Sequence, residues 1–283
     1  MDDFLERARQ YVESEAPHLG ALFGIMAGEM RFARAWLDED LRRLPKGAPI
    51  LEVGGGVFLL TCQLVREGFS VTAIEPTGVG FGEFEELGTV VLMLAALDGA
   101  VPTIVRCGAE AFESDSRYSL AFSVNVMEHV DAPDKVIARV AAVLSAGASY
   151  RFLCANYVFP YEPHFNIPTF GSKALTLRLM RARIETSTRM DDPVGVWKSL
   201  NWISVPQVKR MAGADKSLDV RFQTRTLPWM LERAVNDGEF AKRRARWMVA
   251  VIGMCRSLGL LRIASRIPAV IQPIMDVRLT KKA

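Results

Sequence analysis

The sequence predicts an α/β fold: a doubly wound, mostly parallel sheet with helical N-terminal and C-terminal additions. Three observations predict it. Between residues 50 and 154, short apolar runs of strand length alternate with longer runs of helical character. The first strand-like run passes directly into Gly54-Gly55-Gly56 and then into a helix. The flanking stretches, residues 1–45 and 228–277, carry helical patterning instead.

Residues 1–45 read as amphipathic helix with breaks near Pro17 and Gly20, and Pro45-Lys46-Gly47-Ala48-Pro49 reads as a turn-rich linker. Ile50–Val53 is a buried strand, Phe58–Arg66 a helix closed by Glu67-Gly68, and Ser70–Ile74 a second strand ending at Glu75-Pro76. Glu83–Leu97 is a helix, Thr103–Arg106 a third strand, Ser119–Val124 a fourth, Ala132–Leu144 a helix and Ser149–Cys154 a fifth strand. Residues 155–200, rich in aromatics, prolines and arginines, interrupt the rhythm as an insertion. Leu218, Val220 and Phe222 then alternate with Asp219, Arg221 and Gln223, the period of a further strand. The organisation expected is an N-terminal helical region over 1–45, a sheet domain over 46–227 and a basic helical segment over 228–283.

The four cysteines, Cys62, Cys107, Cys154 and Cys255, form no C-x-x-C pair, so neither a zinc knuckle nor a disulfide framework is indicated, and no metal site is expected. The first residues lack a basic region followed by an apolar run, which points to a cytoplasmic location. The net charge of +3 conceals an asymmetry. From Glu239 onward there are 10 Lys/Arg against 2 Asp/Glu, leaving 25 basic and 30 acidic residues before it. A basic excess confined to one segment selects an anionic partner.

The strongest local signal is Leu51-Glu52-Val53-Gly54-Gly55-Gly56 ahead of a helix. Glycine allows a ligand close to the backbone, and a helix N-terminus offers unpaired N–H groups. Glu75, 19 residues after Gly56, closes the second strand, where a carboxylate can accept both hydroxyls of a ribose. The dinucleotide pattern G-x-G-x-x-G would need glycine at Leu59. Glu52 beside the turn would repel a pyrophosphate and suits a positively charged ligand.

Glu52-Val53-Gly54-Gly55-Gly56, Ile74-Glu75-Pro76, Cys107-Gly108-Ala109-Glu110 and Ser123-Val124-Asn125-Val126-Met127-Glu128-His129-Val130 stand in that order over residues 48–155. Taken together, they resemble the class I S-adenosylmethionine-dependent methyltransferases. The resemblance implies a seven-stranded Rossmann-like sheet with S-adenosyl-L-methionine as cofactor. It implies that Glu52, Gly54, Gly55 and Gly56 contact the methionine part, Glu75 the ribose, and Ala109 and Glu110 the adenine. Asn125 and Val126 would line the reaction centre. The chain departs from the family at Phe58, where a third glycine is common, and at Gly108, where an acid is common.

Candidate acceptor-side residues come from two places. His129, after Glu128, opens the helix following the fourth strand. The segment Asn156 to Pro168 follows the fifth strand, at the edge where open α/β sheets bind ligands. Within it His164 is a candidate base, and Tyr157, Tyr161 and Glu162 are candidate positioning groups. The same segment also reads as a rigid aromatic loop packed on the N-terminal helices. His18 reads as a surface or packing histidine. Arginines and Trp247 among the apolar residues of 240–270 match either a helix on an anionic membrane surface or a subdomain packed on the sheet. The expectation is methyl transfer to a small-molecule, glycan or lipid-linked acceptor, in the cytoplasm or peripherally at the inner face of a membrane. Nucleic acid is disfavoured as a partner. The rivals are an inactive cofactor-binding interaction protein and a nicotinamide-dependent oxidoreductase.

Overall fold

A computed structural model describes residues 1–76, 82–190 and 192–283. Helix α1 (Asp2–Glu15) buries Phe4, Leu5, Ala8 and Val12, a single stripe at helical spacing, and opens with Asp2 and Asp3 against its own free N–H groups. Pro17 ends it. The residue before a proline is excluded from the helical region, and Ala16 sits at φ −150°, ψ 66°. One 3₁₀ turn, Pro17–Leu19, leads into α2 (Gly20–Leu41).

The strands are β1 (Pro49–Val53), β2 (Ser70–Ile74), β3 (Thr103–Val105), β4 (Tyr118–Val124), β5 (Leu144–Ala155), the short β6 (Tyr161–Glu162) and β7 (Ile167–Pro168), then β8 (Leu218–Gln223) and β9 (Ile274–Lys281). Seven form one sheet in the order β3-β2-β1-β4-β5-β9-β8, mostly parallel and flanked by helices. The chain packs as two units, residues 1–123 with 139–150 and Ala283, and residues 124–138 with 151–282.

In the first unit β1 pairs in parallel with β2 and β4, and β2 with β3. Ile50, Leu51 and Val53 are fully buried, as a strand covered on both faces requires. Helices α3 (Leu59–Arg66) and α4 (Gly82–Leu97) follow β1 and β2. Helix α5 (Pro133–Val143) precedes β5, which begins at Leu144, five residues before the expected Ser149.

In the second unit β6 and β7 form an antiparallel hairpin. Helix α6 (Lys173–Glu185) is capped by Ser172, whose side chain accepts from Leu175 N, and α7 (Pro193–Ser199) by Asp192, with Pro193 at the first helical position. Helices α8 (Val205–Ala214), α9 (Thr226–Asn236), α10 (Gly238–Lys242) and α11 (Arg246–Ser257) complete the set.

The C-terminus corrects the expectation of a helical tail. Residues 274–281 form β9, antiparallel to β8 with Val220 opposite Leu279. Its Asp276 carboxylate, wholly buried, takes a two-pronged bond from Arg151 (Nε–Oδ1 3.1 Å, Nη2–Oδ2 2.7 Å) and a hydroxyl bond from Thr226. No single described helix is long and apolar enough to cross a membrane. Among the described residues, α11 together with the 3₁₀ segment Leu260–Arg266, bent by 99°, has the combined length and composition for a broken span.

Candidate functional site

The glycine turn follows β1 in the first unit. Gly54 and Gly56 adopt φ 78° and 52°, which side-chain-bearing residues rarely tolerate. Gly54 N and Gly55 N both donate to Ile74 O (2.8 and 3.1 Å), tying the turn to the end of β2. Gly56 N donates to Glu75 Oε2 at 2.7 Å, so the turn and the acid closing β2 meet directly. Burial pushes the Glu75 carboxyl above its ordinary range, against the pull of the Gly56 N–H and of Arg106. Glu52 is buried as well, and its carboxylate accepts from the Thr61 hydroxyl on α3. Burial pushes it up to about 8, with Glu75 adding to the rise. A bound cation would be strongly favoured beside an acid in that condition.

Phe58 packs against the glycine turn. It is the N-cap of α3 at φ 60°, 1% exposed, with its ring beneath the glycines. A Cβ on Gly55 would lie 2.7 Å from its Cε1, and one on Gly88 of α4 would lie 3.3 Å from the ring. Gly55 and Gly88 therefore form a socket for the phenylalanine, and the Arg106 guanidinium lies 5.2 Å from the ring centroid. Gly55, read from the sequence as a ligand contact, has this packing task. Ala109 and Glu110 lie in a 3₁₀ turn, Ala109–Ala111. A Cβ on Gly108 would come within 3.3 Å of Glu110 Oε2.

The second unit gathers a different group. Asn125, just past β4, is held at φ 56° with its N donating to Leu153 O (2.8 Å), a conformation asparagine tolerates better than most residues. It is exposed, Val126 is half-buried, and Glu128 is buried. The following loop is clamped by Asn201, whose N donates to Glu128 O (2.8 Å) and whose Nδ2 donates to Met127 O and Val130 O (both 2.7 Å). The β6–β7 hairpin brings His164 to His129, with ring centroids 5.1 Å apart at 78°. Glu162, fully buried, accepts from Tyr157 OH (3.3 Å) and Phe165 N (2.8 Å) and bonds His164 Nδ1 at 2.5 Å.

The electrostatics follow from burial and these contacts. Burial opposes charge on His164, but Glu162 outweighs it and raises the imidazole; in return His164 holds Glu162 below the usual carboxylate range despite its burial. Burial, then His164, lowers His129 to about 4. Burial pushes Glu128 up to about 7.

Tyr161 is not joined to this group by a hydrogen bond; its hydroxyl donates to Asn166 Oδ1. Tyr157 reaches the group through its hydroxyl, which donates to Glu162 Oε1. The aromatic loop packs on its own unit: Tyr157 stacks on Trp202 at 5.0 Å, and Phe165 and Trp202 meet Trp197 edge-on. Thr61, Arg106, Ser199 and Asn201 hold parts of these sites without any local sequence signal that singles them out. Asn156 was visible only as part of its loop; its Nδ2 donates to Val270 O and Gln272 O (3.0 and 2.8 Å) and ties that loop to the C-terminal segment. His18 pairs with Glu86 at the surface.

No protein-family model matches the chain. Over 282 residues it is 62% identical to the uncharacterized proteins MT1557 and Rv1509 of two Mycobacterium tuberculosis strains, covering 100% of this chain and 95% of each relative. Among solved structures it is similar to a protein assigned as a sarcosine dimethylglycine methyltransferase from Galdieria sulphuraria (TM-score 0.53, 17% identity, 88% of this chain and 85% of that one). It is also similar to phosphoethanolamine N-methyltransferase 2 of Haemonchus contortus, crystallised with phosphomonomethylethanolamine and S-adenosylhomocysteine (TM-score 0.50, 15% identity, 97% of this chain). The chain spans 60% of that protein's length. At such identities these likenesses speak to the fold.

Proposed function

We propose that this chain, which belongs to the family of the two Mycobacterium tuberculosis relatives and has the class I methyltransferase fold, transfers a methyl group from S-adenosyl-L-methionine to an acceptor molecule. The acceptor is a small molecule, a glycan or a lipid-linked compound. The observation that carries the reading is the joined turn and acid: Gly56 N on Glu75, beside a buried Glu52 that no cation among the described residues offsets. That donor set fits a nucleoside bearing positive charge and no pyrophosphate.

When bound, the cofactor would supply an electrophilic methyl on a sulfonium to a lone pair of the acceptor. Glu75 accepts the ribose hydroxyls, and Glu52 faces the ammonium end. Gly54 and Gly56 allow close approach of the ligand, Ala109 and Glu110 flank the adenine, and Asn125 and Val126 border the reacting end. The group of Glu128, His129, His164 and Glu162 handles the acceptor, with Tyr161 beside it on the hairpin. These residues act by positioning, which is most of what an in-line displacement asks of a protein.

Calorimetric titration with S-adenosylmethionine, S-adenosylhomocysteine and NAD tests the reading. The first two bind wild type and lose affinity in Glu75→Ala, and NAD does not bind. Binding of NAD alone would replace the proposal with the nicotinamide reading. Cofactor binding without any labelled methyl product in supplemented cell extract would replace it with the inactive interaction protein.

A second reading concerns location. Helix α11 buries none of its residues and exposes Trp247 (68%), Met254 (58%) and Val251 (45%), with Arg246 and Arg256 at its two ends. An apolar face with arginines suits the interface of an anionic membrane. Co-sedimentation with anionic vesicles, lost in Trp247→Glu/Met254→Glu, supports it; equal sedimentation of both proteins removes it.

A further inference from the structure

Glu128, His129 and His164 offer ligand atoms that all lie within 4.8 Å of one another. All three belong to the second unit and come from the loop after β4 and from the β6–β7 hairpin. Proximity alone does not make a site, but three further observations point to a ligand.

The first is an unpaired buried acceptor. Glu128 is 2% exposed, and its Oε2 has no hydrogen-bond partner; a 3.5 Å bond from Ala155 N reaches its Oε1. A carboxylate oxygen withdrawn from water and left unpaired costs stability unless something positive meets it.

The second is the state of each imidazole. The Ser199 hydroxyl donates its hydrogen to Val196 O (2.9 Å), so toward His129 Nδ1, 2.8 Å away, it acts as acceptor. With the hydroxyl hydrogen on Val196 O, Nδ1 of His129 carries a hydrogen and its Nε2 presents a lone pair. Glu162, an acceptor, engages Nδ1 of His164 in the same way. A metal-binding histidine ordinarily gives its other N–H to a carboxylate, carbonyl or similar acceptor, which fixes the ring.

The third is rigidity around the group. Asn201 clamps the loop bearing Glu128 and His129 through three backbone bonds, and Glu162 is anchored by Tyr157 OH and Phe165 N. Ligands at about 2.0–2.2 Å from a shared ion are at most about 4.4 Å apart, so shifts of a few tenths of an ångström close the set.

We propose that Glu128, His129 and His164 bind a divalent first-row transition-metal ion through one carboxylate oxygen and two imidazole nitrogens. Two nitrogens and one oxygen favour such an ion over calcium or magnesium, whose ligands are all oxygens. Three protein ligands leave coordination positions for water or for an oxygen of the acceptor. The site stands whether or not the chain transfers methyl groups, and its test reads binding, not turnover.

The chelator-treated full-length protein is titrated with Zn²⁺ by calorimetry and with Co²⁺ by visible absorption. The expected result is one-to-one binding, with a cobalt spectrum free of thiolate charge transfer. Binding is lost in His129→Gln, His164→Gln and Glu128→Gln, and weakened about 10–100-fold in Ser199→Ala, which removes an outer partner only. Circular dichroism establishes which variants are folded. X-ray absorption of the zinc-loaded wild type needs no variant and reads two imidazoles directly. No stoichiometric binding by wild type, sulfur in the zinc shell, or full affinity retained in folded His164→Gln would each overturn the proposal.

Discussion

Glu52→Gln isolates the buried acid at the glycine turn. Glutamine keeps an oxygen for the Thr61 hydroxyl and removes the titration. In the folded chain Glu52 holds its proton up to about 8, against 4.5 for the free side chain. Between those values the unfolded chain is ionised while the folded chain is not, so folding takes up a proton. Stability from this group is therefore fully present below about pH 4.5 and is lost as pH rises through about 8. A displacement from 4.5 to about 8 corresponds to roughly 5 kcal/mol over the whole range, and to about 3–4 kcal/mol between pH 5 and pH 8. Urea denaturation followed by tryptophan fluorescence at pH 5, 6, 7 and 8 measures it. Wild type should lose about that much more stability than Glu52→Gln across the series. Parallel curves for the two proteins would refute the reasoning, because a water-exposed or already compensated carboxylate would titrate near its ordinary value.

Gly55→Ala places a Cβ against the Phe58 ring and should cost about 1–3 kcal/mol, a cost that shrinks in a Phe58→Gly background; a double-mutant cycle by urea unfolding checks the coupling. Asp276→Ala leaves Arg151 buried without its carboxylate and should destabilise by about 3–5 kcal/mol, measured by the same denaturation. His164→Ala should lower labelled methyl incorporation about 100-fold or more while S-adenosylmethionine affinity, measured by calorimetry, stays near wild type. Unchanged incorporation would remove His164 from the acceptor group.

The sheet was legible where its strands are short and mostly buried. Ile50–Val53 and Ser70–Ile74 are short apolar runs bounded by glycine or proline, and such runs have few other uses in a chain of this composition. Strand β9 was not legible. Met275, Val277 and Leu279 do alternate with polar residues, but the stretch follows Pro268 and Pro273 and a helical run, and Asp276 resembles a surface residue until its pairing with Arg151 is known. The turn and Glu75 were readable because their spacing is local to one strand–helix–strand unit. The pairing of His129 with His164 was not, because it depends on how a hairpin folds back, and a linear pattern does not encode that. Ser199 and Asn201 are ordinary polar residues until their hydrogen bonds are drawn. The exposure of α11 was equally hidden, since an amphipathic pattern does not say how far neighbouring elements cover a helix.

The phenylalanine seated among glycines has a consequence for relatives of this protein. Positions 55, 58 and 88 share one small volume, so they are not free to change one at a time. A lineage that shrinks residue 58 releases the other two to acquire side chains, and a lineage that keeps the ring must leave both bare. Counting glycines near this turn therefore measures two demands at once, one set by the visiting molecule and one by an aromatic lodger of the protein's own.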